Sequence, residues 1–455
     1  MCLSLFLFSK GQGRREGGRR LWKKDEKQSM NIVFLTPDRI VDRRIVLEAE
    51  SLRMKGYTPC NIADLGAGKA SDESYPGIPI VNALMGGTEG APARKSLFTM
   101  LKDPAKRLLG SSPGLRKCFR TTYFYLFHVA QLARPPSRRR LYPLEDAYYE
   151  RARAMKADIY VACDLPMLSP AARAARDHGS LLIYDAHEFY TGQVTLSGPE
   201  RAMAEAFERE LIGKAQLVIT VNESIAALFA ERYGVRKPEV IYNCTSAPPS
   251  FDREVPHRVI REKCALDDTA KIVLFQGGYL PGRNLENLVR AAGSFRDGIV
   301  LVLLGFGEYG AHLQDIARGV GRGKVFFLEA VSQGELLEHS ASADLGVIPY
   351  EPIDLNTRFC TPNKFFEFIQ AGLPVLAEKR LEELKLFVER EEVGFLRDLS
   401  TPGSIAAAVN EICSQSASLV RAKERCGAIA GRYSWDEEGA RFAAMVENII
   451  AGARR

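Results

Sequence analysis

Three polar residues with a helical spacing stand out in the segment 358–377: Asn363, Lys364 and Glu367. In a helix, residues three and four apart lie on one face, so these side chains would be neighbours in the first turns. The free N–H groups of a helix N-terminus attract anions, and Lys364 adds a positive charge. The carboxylate of Glu367 can accept two hydrogen bonds from a vicinal diol. The pattern predicts a site for a nucleoside diphosphate, although a salt-bridged surface helix would have the same spacing.

The residues around this trio set the expected limits of the helix. Thr361 can cap it, and Pro362 suits the first helical position, where its missing N–H is not needed. Gly372 and then Pro374 end it, because neither continues a helix well. The sequence therefore predicts a helix over 361–372.

A glycine turn lies in the segment LLGFGEYGAHLQ, where Gly305, Gly307 and Gly310 have the spacing G-x-G-x-x-G. It follows an apolar run typical of a buried parallel strand, as a dinucleotide-binding turn does. That fingerprint belongs to the first strand and helix of its domain, whereas here an earlier strand comes before it. The spacing is therefore weak support for NAD binding.

The earlier strand, KIVLFQGG, ends in a glycine pair of its own, Gly277 and Gly278, and Arg283 follows before the next helix. Glycine lets a backbone approach a ligand closely. An arginine beyond it can neutralise a phosphate group, although a solvated loop arginine would give the same pattern.

Composition limits the class of protein. The 455 residues suffice for about two or three domains, and the hydrophobic content of 46% can fill their cores. The nine cysteines include no C-x-x-C pair, which argues against a zinc site and a disulfide framework and favours a reducing cytoplasm. We expect no metal site. No apolar run approaches about 18 residues, so no membrane span is expected.

Positive charge is concentrated in the segment 94–140, which carries twelve Lys and Arg against Asp103 alone, while the whole chain has a net charge of +6. Apolar and aromatic residues are interleaved with these cations, a pattern typical of helices that lie on an anionic membrane surface. A solvated pair of helices packed on the first domain is the alternative. Because no recognition module for nucleic acid accompanies the segment, we expect no nucleic-acid partner.

The first 29 residues carry an apolar stretch before their charges, the reverse of the order in a signal peptide. Met30 directly precedes the first strand pattern, NIVFLTP. We expect 1–29 to be a disordered leader or a wrongly assigned start.

Strand and helix patterns alternate from Met30 onwards, which predicts parallel sheets covered by helices on both faces. A stretch rich in Pro and polar residues, TSAPPSFDREVPHRVIRE, interrupts the alternation and indicates a linker. The expected fold class is α/β, with two Rossmann-like parallel-sheet domains facing each other across a cleft. The expected segments are a leader (1–29), a first domain (30–245), a linker (246–269), a second domain (270–430) and a C-terminal helix that crosses back to the first domain (431–455).

The segment PNKFFEFIQAGLPV resembles the nucleotide-binding helix of the family-4 retaining glycosyltransferases, whose fold is GT-B. Five further segments resemble this family in the same order along the chain: DRRIVLEAESLRMKGY, IYDAHEFY, VITVNESIAALFAERYG, SADLGVIPY and the terminal YSWDEEGARFAAMVENII. The resemblance covers 30–455 except 70–140, and it is most specific in the helix.

The resemblance implies a role for each candidate residue. Glu367 would bind the ribose hydroxyls, Arg283 and Lys364 would neutralise the diphosphate, and Asn363 would lie at the same helix N-terminus. The glycines of the two turns would let the backbone approach the nucleotide: Gly277, Gly278, Gly305 and Gly307. The third glycine of the second turn, Gly310, is expected to be a coincidence.

The sequence also departs from the family. Many relatives have a second glutamate eight positions before Glu367, where this chain has Phe359, and an arginine where it has Tyr279. The histidine of many relatives is replaced by Cys163 and its neighbour in ACDLP. His187, in DAHE, is therefore the candidate on the acceptor side, although a lone histidine is more often structural.

The resemblance implies a retaining glycosyltransferase that moves a sugar from a nucleoside-diphosphate sugar, UDP favoured over GDP, to a hydroxyl acceptor in surface polysaccharide or glycolipid synthesis. It implies no required cofactor. It also implies a cytoplasmic protein that reaches a lipid-linked acceptor through contact of 94–140 with the membrane surface. The alternatives are an NAD-dependent oxidoreductase, a GT-B protein that binds nucleotides without turnover, and an inverting relative such as an epimerase.

Overall fold

The structure is a computed structural model that describes residues 15–16, 19–20, 30–66, 71–72, 75, 77–84, 113–134, 139–321 and 323–454. These residues form two compact units. The first contains the described part of Met1–Ala186 together with Ser197–Val218 and Phe442–Arg455. The second contains His187–Leu196 and Ile219–Arg441.

The strands of the N-terminal half form a ribbon and one large sheet. The ribbon pairs β1 (Arg15–Glu16) with β2 (Arg19–Arg20). The sheet contains β3 (Asn31–Leu35), β4 (Thr58–Ala63), β5 (Ser71–Asp72), β6 (Ile80–Asn82), β7 (Ile159–Cys163), β8 (Leu181–Ala186), β9 (Leu217–Thr220) and β10 (Glu239–Val240). Its order is β10-β9-β8-β7-β3-β4-β6-β5, and the division between the units falls within β9. Strands β3, β4, β6, β7 and β8 are parallel, and β5 is antiparallel to β6.

Five helices belong to the first unit: α1 (Arg43–Met54), α2 (Pro113–Leu132), α3 (Glu145–Met155), α4 (Leu165–His178) and α5 (Gly198–Leu211), which a 3-10 turn, Ile212–Lys214, extends. Local sequence explains where they begin. The Asp42 carboxylate accepts the N–H of Arg44 at 2.8 Å at the start of α1. At the start of α5, Ser197 and Glu200 form a capping box.

The second unit contains a six-stranded parallel sheet. Its strands are β11 (Lys271–Gly278), β12 (Ile299–Phe306), β13 (Val325–Glu329), β14 (Leu345–Ile348), β15 (Val375–Glu378) and β16 (Gly394–Arg397). The order is β13-β12-β11-β14-β15-β16. Chain order reverses between β11 and β14, so ligands are expected at the carboxyl ends of these two strands.

The first helical element of the second unit is a 3-10 turn at Tyr190–Gly192, and the α-helices come after it along the chain. They are α6 (Glu223–Tyr233), α7 (Val259–Lys263), α8 (Leu285–Ala292), α9 (Gly310–Arg318), α10 (Gln333–Ala341), α11 (Leu355–Arg358), α12 (Asn363–Ala371), α13 (Glu382–Glu391), α14 (Pro402–Ser414), α15 (Ser416–Ile429) and α16 (Trp435–Ala453). From Phe442 onwards, α16 belongs to the first unit. The two parallel-sheet α/β domains confirm the predicted fold class.

The structure differs from the sequence prediction in several strands, in the linker and at the start of α12. Strands β1, β2, β5, β6 and β16 were not predicted, and the four half-buried residues of β16 give no long apolar run. The predicted linker contains the short helix α7. Helix α12 begins at Asn363 with Pro362 as its cap residue, and the hydroxyl of Thr361 instead accepts a hydrogen bond from Asn222 at 3.2 Å.

Two predictions fall largely outside the described residues. The leader 1–29 is described only at β1 and β2, and in the basic segment 94–140 the described residues are 113–134 and 139–140. Within the part of the chain that the structure describes, no helix combines the length and the apolar character needed to span a bilayer.

Candidate functional site

Lys364 is the most unusual cation of the second unit. Its ammonium group lies near the N-terminus of α12 and is 6% exposed. It donates to the Tyr350 hydroxyl at 2.7 Å and lies 3.8 Å from the centre of the Phe275 ring. Burial lowers the pKa of Lys364 well below its ordinary value of 10.5, and the charge of Arg283 lowers it further. A buried cation with this environment would gain from a bound anion.

Arg283 contacts the same tyrosine. Its guanidinium stacks on the Tyr350 ring at 4.0 Å. Burial raises the pKa of the Tyr350 phenol above its ordinary value, so the hydroxyl stays neutral and can accept from Lys364. Within the described residues, neither Arg283 nor Lys364 forms a salt bridge with a carboxylate. The two cations therefore make a positively charged pair on one aromatic support.

Glu367, one turn along α12, is also buried, at 7% exposure. One carboxylate oxygen accepts from the side-chain amide of Gln276 at 2.7 Å. The amide oxygen of Gln276 accepts in turn from the Ser340 hydroxyl at 2.7 Å. This chain of hydrogen bonds fixes the rotamer of Glu367, as second partners do in binding sites.

Gly277 brings the β11 turn next to these residues. Its φ of +114° is a conformation that residues with side chains rarely adopt. A Cβ atom built there would lie 3.3 Å from the Lys364 ammonium nitrogen. The carboxyl end of β11 therefore lies directly beside Lys364, and the predicted residues Gly277, Arg283, Lys364 and Glu367 belong to one region of the unit.

The second glycine turn has a packing cause inside the protein. A Cβ on Gly305 would come within 2.0 Å of the Gly277 carbonyl oxygen, and one on Gly307 within 2.7 Å of the Tyr279 carbonyl oxygen. A Cβ on Gly310 would meet the Tyr279 ring at 3.1 Å. Protein atoms therefore fill the space that we had expected a nucleotide to require at Gly305 and Gly307. Gly310 is not a coincidence either, since the spacing G-x-G-x-x-G accommodates Tyr279.

Asn363 is separated from the other predicted residues. Its side chain is exposed, and its amide oxygen accepts from Asn243 at 2.8 Å. Although Asn363 and Lys364 are adjacent in sequence, one points to solvent and the other into the core. Asn363 and Lys364 point about 100° apart around the helix axis, so one is exposed and the other buried, and the part that Asn363 plays in the predicted site stays a prediction.

His187 and Glu188 belong to a segment that is tied to α11. The Glu188 carboxylate accepts from the Asn356 amide at 2.9 Å and also accepts from Gln193. The backbone N–H of Phe189 donates back to the amide oxygen of Asn356 at 3.0 Å. Burial raises the pKa of Glu188 above its ordinary value. His187 is half-buried at the start of this segment.

Phe359 stands where many relatives have a second glutamate, so donor contacts at this position would have to come from other groups, such as nearby backbone N–H groups. Four of these groups already have partners. Those of Thr357, Arg358, Phe359 and Cys360 donate within the turns of α11. The carbonyl of Phe359 accepts from Asn222 at 2.7 Å. The described structure therefore leaves this stretch few donors for a ligand.

Tyr350, Gln276 and Ser340 are site residues that the sequence analysis missed. Tyr350 lies two residues beyond β14 and Gln276 near the end of β11, at the point where the strand order reverses. Their positions at the carboxyl ends of two predicted strands were the only sign in the sequence that Tyr350 and Gln276 could line a ligand site. Among the described residues, no group of three or more His, Cys, Asp and Glu side chains could hold a metal ion.

Each half of the chain matches a protein-family model. A model of the glycosyl transferase 4-like domain matches residues 112–244. A model of the glycosyl transferases group 1 matches residues 257–428. No curated protein sequence matches the chain.

Solved glycosyltransferase structures share the fold. Sucrose-phosphate synthase from Thermosynechococcus elongatus is 15% identical with a TM-score of 0.63, over 93% of this chain and 100% of that one. HepE of Anabaena, solved with UDP and glucose, is 17% identical with a TM-score of 0.63, over 92% and 100%. WaaG, a glycosyltransferase involved in lipopolysaccharide biosynthesis, is 14% identical with a TM-score of 0.61, over 91% and 99%. This chain therefore joins a glycosyl transferase 4-like domain to a group 1 glycosyltransferase domain, and it is a glycosyltransferase of the GT-B fold.

Proposed function

We propose that the chain is a retaining glycosyltransferase that uses a nucleoside-diphosphate sugar, with UDP favoured over GDP, and a hydroxyl acceptor. The observation that carries the proposal is the pair of cations, Arg283 and Lys364, that both contact Tyr350 at the carboxyl ends of β11 and β14. The pair lies in the group 1 domain and has no carboxylate partner among the described residues. A diphosphate would supply the missing negative charge.

In the proposed reaction, the bond between the anomeric carbon and the diphosphate oxygen breaks while the acceptor oxygen bonds to the same carbon. The acceptor proton passes to the departing diphosphate, so no protein nucleophile takes part. Arg283 and Lys364 stabilise the negative charge that develops on the leaving group. The protein contributes orientation and charge stabilisation.

The remaining donor contacts follow from this placement. Glu367 accepts hydrogen bonds from the two ribose hydroxyls, and its hydrogen bond from Gln276 holds the carboxylate in position. Gly277 and Gly278 let the backbone approach the diphosphate. The preference for UDP is supported by the solved complex of HepE with UDP and glucose. His187 remains the proposed residue on the acceptor side, positioned by the hydrogen bonds between its segment and α11.

Product analysis tests the reaction. The protein is incubated with UDP-glucose, UDP-galactose and UDP-N-acetylglucosamine and a panel of hydroxyl acceptors, and the release of UDP is measured. The anomeric configuration of the product is read by NMR. We expect UDP release with retention of configuration, and strongly reduced release by an Arg283→Ala variant. A product of inverted configuration would contradict the retaining mechanism, and no turnover of any sugar nucleotide would favour a binding protein without activity.

Donor binding should be coupled to uptake of a proton by Lys364. Its pKa in the free protein is depressed, so between that pKa and 10.5 the amine is largely neutral. A bound diphosphate favours the ammonium form, so affinity for UDP should fall as the pH rises through this window. Calorimetry at alkaline pH, in buffers of different ionisation enthalpy, measures the number of protons taken up. Lys364→Arg stays charged and should abolish the uptake, and an unchanged uptake in that variant would assign it to another group.

The partial structure of the basic segment supports the proposed contact with an anionic membrane. Helix α2 exposes a row of apolar side chains to solvent: Tyr125, Leu126, Val129 and Leu132. Arg116, Lys117 and Arg120 lie in its first half. At its other end Arg139 donates to the carbonyl of Leu132 at 3.1 Å, and Arg140 pairs with Asp146 at 2.8 Å. We therefore assign the membrane contact to the basic first half of α2 and to its apolar row. This contact would bring the first domain to a lipid-linked acceptor.

Liposome sedimentation tests this contact. We expect binding to anionic vesicles that weakens with salt, and none to neutral vesicles, since each Lys or Arg near an anionic surface contributes about 1 kcal/mol. Replacing Arg116, Lys117 and Arg120 by Gln should abolish binding. Replacing Leu126 and Val129 by Ser removes apolar area at constant charge and should weaken it as well. If the protein ignores anionic vesicles at low salt, the segment is a solvated cover and the acceptor is soluble.

A further inference from the structure

A cavity of about 720 Å³ lies within the second unit, apart from the residues proposed to bind the donor. Its lining combines three arginines with aromatic and apolar side chains: Arg390, Arg425, Arg432, Tyr242, Tyr433, Ala428 and Ile429. Glu391 is the single carboxylate of this lining. The lining therefore carries a clear excess of positive charge.

Glu391 organises the arginines. Its side chain is 5% exposed. Its carboxylate accepts hydrogen bonds from Arg390 at 2.9 Å, from the Tyr433 hydroxyl at 2.7 Å and from Arg432. Arg425 donates to the backbone carbonyl of Glu391 at 3.2 Å. The carboxylate is thus screened by its own partners, and a ligand entering the cavity meets guanidinium groups.

Aromatic rings support two of the guanidinium groups. Arg390 lies over the Phe387 ring at 4.6 Å, and Arg432 over the Tyr433 ring at 4.9 Å. Such stacking holds the planar groups in place before a ligand arrives. The rotamer entropy that binding would cost is therefore partly lost already in the free protein.

Most donors of the three arginines have no protein partner. A guanidinium carries five N–H donors. Arg390 uses two on Glu391 and Tyr433, and Arg432 uses one on the Glu391 carboxylate. Arg425 uses one on the Glu391 carbonyl, and its Nε also lies 3.8 Å from the carboxylate of Glu392, which is outside the lining. The Tyr242 hydroxyl has no hydrogen-bond partner among the described residues and adds another donor. Helices α13 and α15 end at this cavity, and the carbonyl groups of a helix C-terminus attract positively charged side chains. This attraction accounts for only one of the contacts, because Arg425 is the only one of the three arginines that donates to such a carbonyl, that of Glu391.

We propose that this cavity binds the phosphoryl group of a second ligand, distinct from the sugar nucleotide. Fixed guanidinium groups with free donors match the geometry of phosphate oxygens. The apolar wall of Ala428 and Ile429 would contact the organic part of the ligand. The phosphoryl group can come from a free metabolite or from a lipid headgroup.

The cavity adjoins the back of the proposed donor helix. Phe366 of α12 lies 5.8 Å from the Tyr242 ring and 5.7 Å from the Phe387 ring, and Phe365 lies 5.2 Å from Phe387. One cluster of aromatic rings thus separates the arginines from the helix that carries Lys364 and Glu367. The site is nevertheless independent of the proposed function, because none of its lining residues belongs to the donor site.

The test titrates inorganic pyrophosphate into the whole protein by calorimetry at low ionic strength. The double variant Arg283→Ala and Lys364→Met serves as the background throughout, so that neither cation of the proposed donor site contributes to pyrophosphate binding. We expect saturable binding of one pyrophosphate, weakened about tenfold or more by the double change Arg425→Gln and Arg432→Gln. The matched double change Arg421→Gln and Lys423→Gln removes the same charge from α15 outside this cavity, and its effect should stay below about twofold.

Folding is controlled separately. Arg425→Gln alone leaves the partners of the Glu391 carboxylate in place, so it should fold normally and still weaken pyrophosphate binding severalfold. Vesicles that contain phosphatidic acid identify the source, in a protein whose Arg116, Lys117 and Arg120 are changed to Gln so that α2 does not bind them. Vesicle binding that the Arg425 and Arg432 changes abolish indicates a lipid headgroup, and binding of pyrophosphate alone indicates a free ligand. Absence of saturable binding, or equal loss in both double variants, overturns the proposal. A protein that binds pyrophosphate as expected but does not bind UDP would support this cavity as a site and contradict the proposed donor site.

Discussion

Glu367→Ala is expected to weaken UDP binding by about tenfold or more if one ribose hydroxyl loses its hydrogen bond, and by about a hundredfold or more if both do, since each charged hydrogen bond contributes about 1.5–3 kcal/mol. The carboxylate is 7% exposed and is held by Gln276, so water cannot readily replace it as an acceptor. Calorimetric titration of UDP measures the change. An affinity equal to that of the wild type would remove Glu367 from the site.

Glu367→Gln is the control for this prediction. It keeps the shape of the side chain but loses the charge and one acceptor, so its affinity should lie between those of the wild type and the alanine variant. Thermal unfolding without ligand shows whether either change damages the fold, because removal of the carboxylate leaves the amide of Gln276 without its partner.

Arg283→Ala is expected to lower turnover by about a hundredfold or more while affecting UDP binding much less, if its charge acts mainly as the diphosphate departs. The guanidinium is fixed over the Tyr350 ring at 4.0 Å, so its position costs no reorganisation during the reaction. Turnover at saturating donor and the affinity for UDP are measured on the same preparation. Wild-type turnover in the variant would exclude Arg283 from the reaction.

Tyr350→Phe separates the two cations. It keeps the ring under Arg283 and removes the hydroxyl that accepts from Lys364. We expect the pH dependence attributed to Lys364 to change while the contribution of Arg283 persists. A loss of turnover from Tyr350→Phe as large as that from Arg283→Ala would contradict the prediction that Arg283 acts without the tyrosine hydroxyl.

Much of the fold could be predicted because parallel strands buried on both faces are continuous apolar runs. The runs in β11 and β12 each fill most of an eight-residue strand and were found in the sequence. Strand β16 was missed because its residues Gly394–Arg397 are half-buried and include Arg397. Such an edge strand depends on its pairing with β15, which local sequence does not encode.

The proposed donor site could be predicted where residue type alone suggests the chemistry. Lys364 and Glu367 were proposed from their spacing, and both are buried in the unit. The exposure of Asn363 could not be predicted, because the burial of each position is set by the tertiary contacts of α12. Tyr350 was missed because its role depends on two residues far apart in sequence, Arg283 and Lys364, that meet only in the folded unit.

The glycine turn shows how one spacing can arise from different causes. The sequence indicated that Gly305 and Gly307 made room for a ligand, and the structure gives that room to Tyr279 and the Gly277 carbonyl. A glycine in a sequence indicates that a side chain would not fit at that position, but only the structure shows which atoms are in the way.

The central claim, that the group 1 domain binds a nucleoside diphosphate through α12, is tested most directly by thermal unfolding with UDP and with NAD. At about 100 times its dissociation constant, a ligand of the folded state adds about 2.7 kcal/mol of stability, which appears as a raised unfolding midpoint. We predict that UDP raises the midpoint of the wild-type protein, that NAD does not, and that Glu367→Ala removes most of the UDP effect. A midpoint raised by NAD and unaffected by UDP would contradict the account.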